Sequence, residues 1–284
     1  MVHTDLAGPI DPVSKEGFKY SIAFIDDFSG TVFVYFLKSK SDTVQATETF
    51  LADCTRYGQV KCMRSDNETE FTSDAFQTLL RERGIKHETS SLYSPHQNGT
   101  AERHWRTLFE TGRCLLIEKQ LPKSMWPYAI QTAAHIWNRC YNTRIKNTPY
   151  FMLTGRKPDL TKMGVFGSEC YAYNHNHKKL DSRCTKGVFV GYDKNSPAYL
   201  VYHPDNGKVM KHRLIRFISK DSVKQQTQTD WLYEDSDLCR SPVNEAETAN
   251  PDCKVDTNTP TGKDQNKKNV VTHENDEQVA SNPV

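Results

Sequence analysis

"FKYSIAFIDDFSGTVFVYFLKS" occupies residues 18–39. Two runs dense in aromatic and β-branched residues flank "DDFSG", whose Asp, Ser and Gly suit a turn. Near-continuous apolar runs of this length predict a hairpin of strands covered on both faces.

Outward from the hairpin the pattern changes period. "SDTVQATETFLADCTRYG" (41–58) puts Val44, Leu51 and Cys54 at helical spacing and stops at Gly58. "QVKCMRSD" (59–66) predicts a short strand ending at Asp66. "SDAFQTLLRERG" (73–84) predicts a helix with Ser73 as N-cap and Gly84 as its stop, and "IKHETSS" (85–91) another strand. A further helix covers residues 100–117. In "SMWPYAIQTAAHIWNRCYN" (124–142), Trp126, Ile130, Ala133, Trp137 and Cys140 share one helical face. Strands, then alternating helix and strand, then helices predict an α/β fold over residues 1–155, a mixed sheet flanked by helices. Residues 160–220 read as a small β-rich module of short strands, with "PDNG" (204–207) as a hairpin turn. From 221 the chain is polar and without periodicity, which predicts a disordered acidic tail or linker.

Charge divides along the same boundary. Residues 221–284 hold 13 acidic and 6 basic side chains, leaving 31 basic against 22 acidic in residues 1–220. A basic body suits a polyanionic partner. The hydrophobic fraction of 36% is low for a fully folded chain, in keeping with a disordered portion. Eight cysteines lie at 54, 62, 114, 140, 170, 184, 239 and 253 without a Cys-x-x-Cys pair or zinc spacing. Several fall in apolar patterns and read as reduced thiols in cores. The start "MVHTDLAGPI" has no signal-peptide pattern and no apolar run is long enough to span a membrane, so the expectation is an intracellular chain without a membrane partner.

"SPHQNGTAERHWRTLFETGRCLL" (94–116) carries the chemistry. On a helical wheel, Ala101, Trp105, Leu108, Gly112 and Leu115 form the core stripe, and Glu102 sits about a quarter-turn from its centre, at the border with solvent. Arg106 and Arg113 flank it on the same side; Arg103 and Glu110 lie further round. Taken alone, a first-turn glutamate among arginines is ordinary dipole and ion-pair chemistry. The reading changes because Asp66, at a strand's C-terminal end, opens into the same kind of cleft. A third carboxylate comes from Asp5, Asp26 or Asp27, and spacing does not choose among them. Three convergent oxygen ligands suit a pair of Mg²⁺ ions about 4 Å apart, the arrangement that clamps an in-line phosphoryl displacement.

These segments resemble the integrase of copia-type LTR retrotransposons, a retroviral-integrase-like part of a Pol polyprotein. "HTDLAGP" (3–9), residues 20–42, "RSDNETEF" (64–71) and "YSPHQNGTAERHWRTLFETGRCLL" (93–116) are similar, in order, to the family's catalytic segments. Residues 148–173 and 186–209 are similar to the segments that follow, so the likeness covers about residues 2–220. The resemblance implies an RNase H-like catalytic core with an Asp, Asp, thirty-five residues, Glu signature. Residues 67–101 supply the thirty-five between Asp66 and Glu102. It thereby selects Asp5, Asp66 and Glu102 as catalytic, metal-binding residues, with Mg²⁺ or Mn²⁺ as the cofactor, two ions in all. It implies 3′-end processing and strand transfer on DNA, by a homo-oligomer acting in the nucleus. The loop residues Gln97 and Asn98 are candidates to hold the DNA end, and Arg103, Arg106 and Arg113 to contact phosphates.

Some features depart from the family. The family's N-terminal His/His/Cys/Cys zinc module is not in this sequence, nor are protease, reverse transcriptase or RNase H segments; the expectation is a fragment, a decayed copy or a partial gene model. Glu68 and Thr69 stand where the family has a glycine pair. That exchange predicts a strained turn and added repulsion beside Asp66. Two alternative functions follow: a nucleic-acid-binding remnant without catalysis, and a protein-interaction module using the acidic tail.

Overall fold

The computed structural model describes residues 1–89, 99–174, 179–180 and 182–218. The predicted disordered tail lies outside the described residues, as do Gln97 and Asn98.

The hairpin forms as expected. Strand β2 (Tyr20–Asp26) pairs antiparallel with β3 (Val32–Leu37), in register from Tyr20 opposite Leu37 to Ile25 opposite Val32. In the turn, the Asp26 carboxylate accepts from the Ser29 amide at 2.9 Å and its hydroxyl at 2.6 Å. Strand β1 (Val2–Ala7) pairs antiparallel with β2, while β4 (Cys62–Ser65) and β5 (Lys86–Thr89) add parallel strands on its other side. The resulting five-stranded mixed sheet runs β3-β2-β1-β4-β5.

Both faces of this sheet are covered, which is why the hairpin lacks a polar face. On one side Ile22, Phe24 and Leu37 pack with Phe50 and Leu51 of helix α1 (Thr43–Cys54), Phe71 of α2 (Thr69–Thr72), and Phe76 and Leu80 of α3 (Asp74–Glu82). Phe24 and Phe50 stack at 4.1 Å. On the other side Ala23, Ile25, Val32 and Val34 meet α4 (Gly99–Glu118) and α5 (Trp126–Trp137). Burying each large apolar side chain contributes about 1.5–3 kcal/mol. Ser73 caps α3 as predicted, its hydroxyl accepting from the Phe76 amide, and Gly84 follows the helix at φ +67°.

A short helix α6 (Pro149–Thr154) leads toward a second sheet, of β6 (Glu169–Tyr173), β7 (Cys184–Tyr192), β8 (Tyr199–His203), β9 (Lys208–His212) and β10 (Ile215–Phe217), in the order β10-β6-β7-β8-β9. Cys170, Ala172, Phe189 and Val201 form its own core. Val190 and Leu200 instead join the cluster around α4 and α5. The Tyr192 ring stacks on His135 at 3.8 Å, and its carbonyl accepts from Gln131 at 3.1 Å. Gly191 permits this approach: its φ is +136°, and a Cβ there would stand 2.8 Å from the Thr132 hydroxyl.

Three expectations need correction. Among the described residues only Cys54 and Cys170 are buried cysteines, whereas Cys114, Cys140 and Cys184 are exposed and Cys62 is intermediate. Helix α5 ends at Trp137, so Cys140 leaves the shared face. In α4 the stripe of Ala101, Trp105, Leu108 and Gly112 is buried, but Leu116, not Leu115, takes the last buried position. Among the described residues no helix is long and apolar enough to cross a membrane.

Candidate active site

The parallel pairing of β1 with β4 sets the site. Val2 lies opposite Met63 and His3 opposite Arg64. Two residues further on, that register puts Asp5 beside Asp66, the first residue after β4, on strands about 4.8 Å apart. Asp26 and Asp27 lie elsewhere. Asp26 pairs with Val2, at the start of β1. It is bound into its own turn, and Asp27 pairs with Arg144 at 3.3 Å.

Helix α4 is fixed over the same place. Ala101 is fully buried, and the Trp105 indole N–H donates to the Asp5 carbonyl at 3.4 Å. Glu102 lies on the turn just before Trp105 and is exposed. Arg103, Arg106 and Arg113 are also exposed and form no ion pair among the described residues. The ordinary Glu102–Arg106 pair is therefore not formed, and the guanidinium groups are presented to solvent.

Asp5 is half-buried, and its carboxylate accepts from the Leu6 amide at 2.9 Å. Burial, and then the charges of Asp66, Glu68 and Glu102, push its carboxyl up to about 7. Asp66 is also raised, chiefly by burial, although its carboxylate accepts from the Glu68 amide at 3.2 Å. The charges acting on Asp5 are carboxylates, so the cluster is short of positive charge. Hard oxygen donors in that condition fit a divalent cation of the Mg²⁺ class. Among the described residues no three His, Cys, Asp or Glu side chains are drawn close enough to hold a metal ion as they stand.

The Glu68–Thr69 exchange behaves differently from expectation. Glu68 has φ −62° and ψ 150°, an unstrained extended conformation, and it starts α2. Its carboxylate turns to Lys40, at 3.1 Å, and Lys40 also meets Glu70 at 3.0 Å. The turn needs no glycine. The expected repulsion is present, since Glu68 raises both Asp5 and Asp66, but Lys40 offsets part of it at Asp66. Lys40 is a residue of this site that sequence motifs do not mark. The signal was available, because it follows the C-terminal end of β3 much as Asp66 follows β4.

A cavity of about 170 Å³ lies away from these residues, at the β3 edge, lined among others by Tyr35, Asp53, Arg139 and Lys194. It contains none of the three carboxylates.

Residues 1–95 match the Integrase core domain family, a span that includes Asp5 and Asp66 and stops before Glu102. Residues 168–231 match the retroviral polymerase SH3-like domain. The chain is 34% identical over 222 residues to the Retrovirus-related Pol polyprotein from transposon TNT 1-94 of Nicotiana tabacum, covering 76% of this chain and 17% of that protein. It is 33% identical over 210 residues to the corresponding polyprotein from transposon RE1 of Arabidopsis thaliana, covering 72% and 14%. The chain thus spans less than a fifth of the length of these curated relatives. Among solved structures, the HTLV-2 integrase catalytic core domain in complex with magnesium aligns with a TM-score of 0.42 and 21% identity, over 54% of this chain and 94% of that one.

Proposed function

The chain belongs to the integrase family of copia-type retrotransposon Pol polyproteins, and on that premise we propose that it carries out metal-dependent 3′-end processing and strand transfer on DNA. The observation that supports this most is the register that sets Asp5, inside β1, beside Asp66, where burial and the charges of Asp66, Glu68 and Glu102 hold its carboxyl up to about 7. Asp5, Asp66 and Glu102 would hold the divalent cations. When bound, such ions stabilise the charge developing at phosphorus and make water or a 3′-hydroxyl a competent nucleophile near neutral pH. In the first step water displaces the 3′-oxygen leaving group at the element end and frees a 3′-hydroxyl. In the second that hydroxyl attacks a target phosphodiester, one P–O bond forming as another breaks. No covalent link to the protein is needed, so the residues contribute positioning and charge. Arg103, Arg106 and Arg113, exposed along α4, would take the DNA phosphates.

The test incubates the full chain with a labelled duplex carrying an element end, in Mg²⁺ or Mn²⁺. Cleavage and joining by wild type, absent in Glu102→Gln and Asp66→Asn, are expected. Equal inactivity of wild type and both variants would refute catalysis. The non-catalytic DNA-binding remnant is favoured by one observation, that among the described residues no three ligand side chains are drawn together. It predicts salt-sensitive DNA binding, unaffected by either substitution, with no product.

A further inference from the structure

A hydrogen-bonded chain of fixed direction runs beneath Asp66. The Gln77 carboxamide nitrogen lies 2.9 Å from the Phe71 carbonyl and 2.7 Å from His87 Nδ1. Its two hydrogens serve those two acceptors, and the Phe71 carbonyl excludes the flipped amide, which would face it with oxygen. His87 Nδ1 is therefore the acceptor and the ring proton sits on Nε2. That N–H donates to Ser65 Oγ at 2.9 Å. The serine hydroxyl, so engaged, sends its own hydrogen to the Asp66 carbonyl at 2.8 Å. Ser65 is fully buried, and Phe76 meets the His87 ring edge-on at 5.4 Å, fixing its plane. Asp66 is thus held at its main-chain carbonyl by this chain and at its carboxylate by the Glu68 amide.

We propose that His87 is a positioning residue for Asp66, acting through Ser65 to aim the strand-end carboxylate at the metal position. This rests on the functional reading above. His87 touches neither metal nor DNA in this scheme. Its contribution is the donor at Nε2, and Gln77 determines that Nε2 carries it.

The test uses the full chain and four variants, His87→Ala, His87→Gln, Ser65→Ala and Asp66→Asn. Glutamine places an amide N–H near the Nε2 position and is the rescue. Four quantities are measured: Mn²⁺ affinity from the metal-dependent shift in melting temperature, DNA affinity, and kcat and KM for strand transfer. His87→Ala and Ser65→Ala should weaken Mn²⁺ binding and lower kcat, each about tenfold, as lost outer partners of metal ligands do. KM and DNA affinity should not move, and His87→Gln should recover most of the loss. Wild-type Mn²⁺ affinity in folded His87→Ala overturns the proposal, as does a Gln variant as impaired as Ala. If His87→Ala does not fold, Ser65→Ala decides in the same way. Failure of the functional reading looks different: wild type binds Mn²⁺, Asp66→Asn does not, and neither joins DNA. The Mn²⁺ arm then still decides the role of His87.

Discussion

Replacing Asp5 with Asn should stabilise the metal-free protein at alkaline pH and leave it unchanged in acid. The carboxyl sits at about 7 in the folded chain, against an ordinary value near 4. The fold therefore binds that proton more tightly than the unfolded chain does. Its contribution to stability is complete below about pH 4 and is lost as pH rises through about 7. The full difference corresponds to about 4 kcal/mol. Partial exposure of the side chain and relaxation around it bring the expected gain to roughly 1–3 kcal/mol at pH 8. For a folded part of this size that is a rise in melting temperature of roughly 2–10 °C. Asparagine keeps the acceptor for the Leu6 amide, so the substitution removes charge with little change of shape. The assay is thermal denaturation of both proteins in EDTA from pH 4.5 to 8.5, read as the difference at each pH so that other titrating groups cancel. Asp66 is raised as well, and the two carboxyls titrate as a coupled cluster, which broadens the transition without changing its sign. Adding Mn²⁺ at pH 8 should then stabilise wild type and not Asp5→Asn. A difference that is flat with pH, or a variant less stable than wild type at pH 8, would refute the account of a carboxylate cluster lacking positive charge.

Trp105→Phe should cost about 1 kcal/mol by calorimetry, because burial is largely kept and the indole N–H to the Asp5 carbonyl is lost, whereas Trp105→Ala should cost about 3–5 kcal/mol. Gly191→Ala forces a side chain into a left-handed conformation against Thr132, and a loss of about 1–3 kcal/mol in urea denaturation is expected. Lys40→Met should change stability by less than about 1 kcal/mol, since the Lys40 ammonium is solvent-accessible and its Glu68 partner is exposed. Arg106→Ala and Arg113→Ala should weaken DNA binding alike on any sequence and lower the salt slope by about one each; binding titrations at several salt concentrations check this.

The parts of the fold that were legible in the sequence are those set by local chemistry. The hairpin from Tyr20 to Leu37 reads correctly because burial on both faces leaves it no polar alternation. Helix α3 reads correctly because Ser73 and Gly84 mark its two ends. The central strand β1 is the opposite case. His3 and Thr4 are buried in it, and His3 Nδ1 and Thr4 Oγ1 find no hydrogen-bond partner among the described residues. Each such group costs about 1–3 kcal/mol, so the segment "VHTDLA" taken alone argues against a place at the centre of a sheet. What holds it there is non-local: a six-residue ladder to β2, the parallel pairing of Val2 with Met63, and the indole of Trp105 a hundred residues along the chain. The same three contacts set Asp5 beside Asp66 and beneath the turn of Glu102. No spacing rule could choose Asp5 over Asp26 or Asp27, because the choice is made by pairing between segments that the chain order does not connect. A strand that is poor by its own composition and fixed only by distant partners has one advantage for such a site. It cannot shift without breaking contacts on both sides, and so the carboxylate it carries stays where the neighbouring strand and the helix require it.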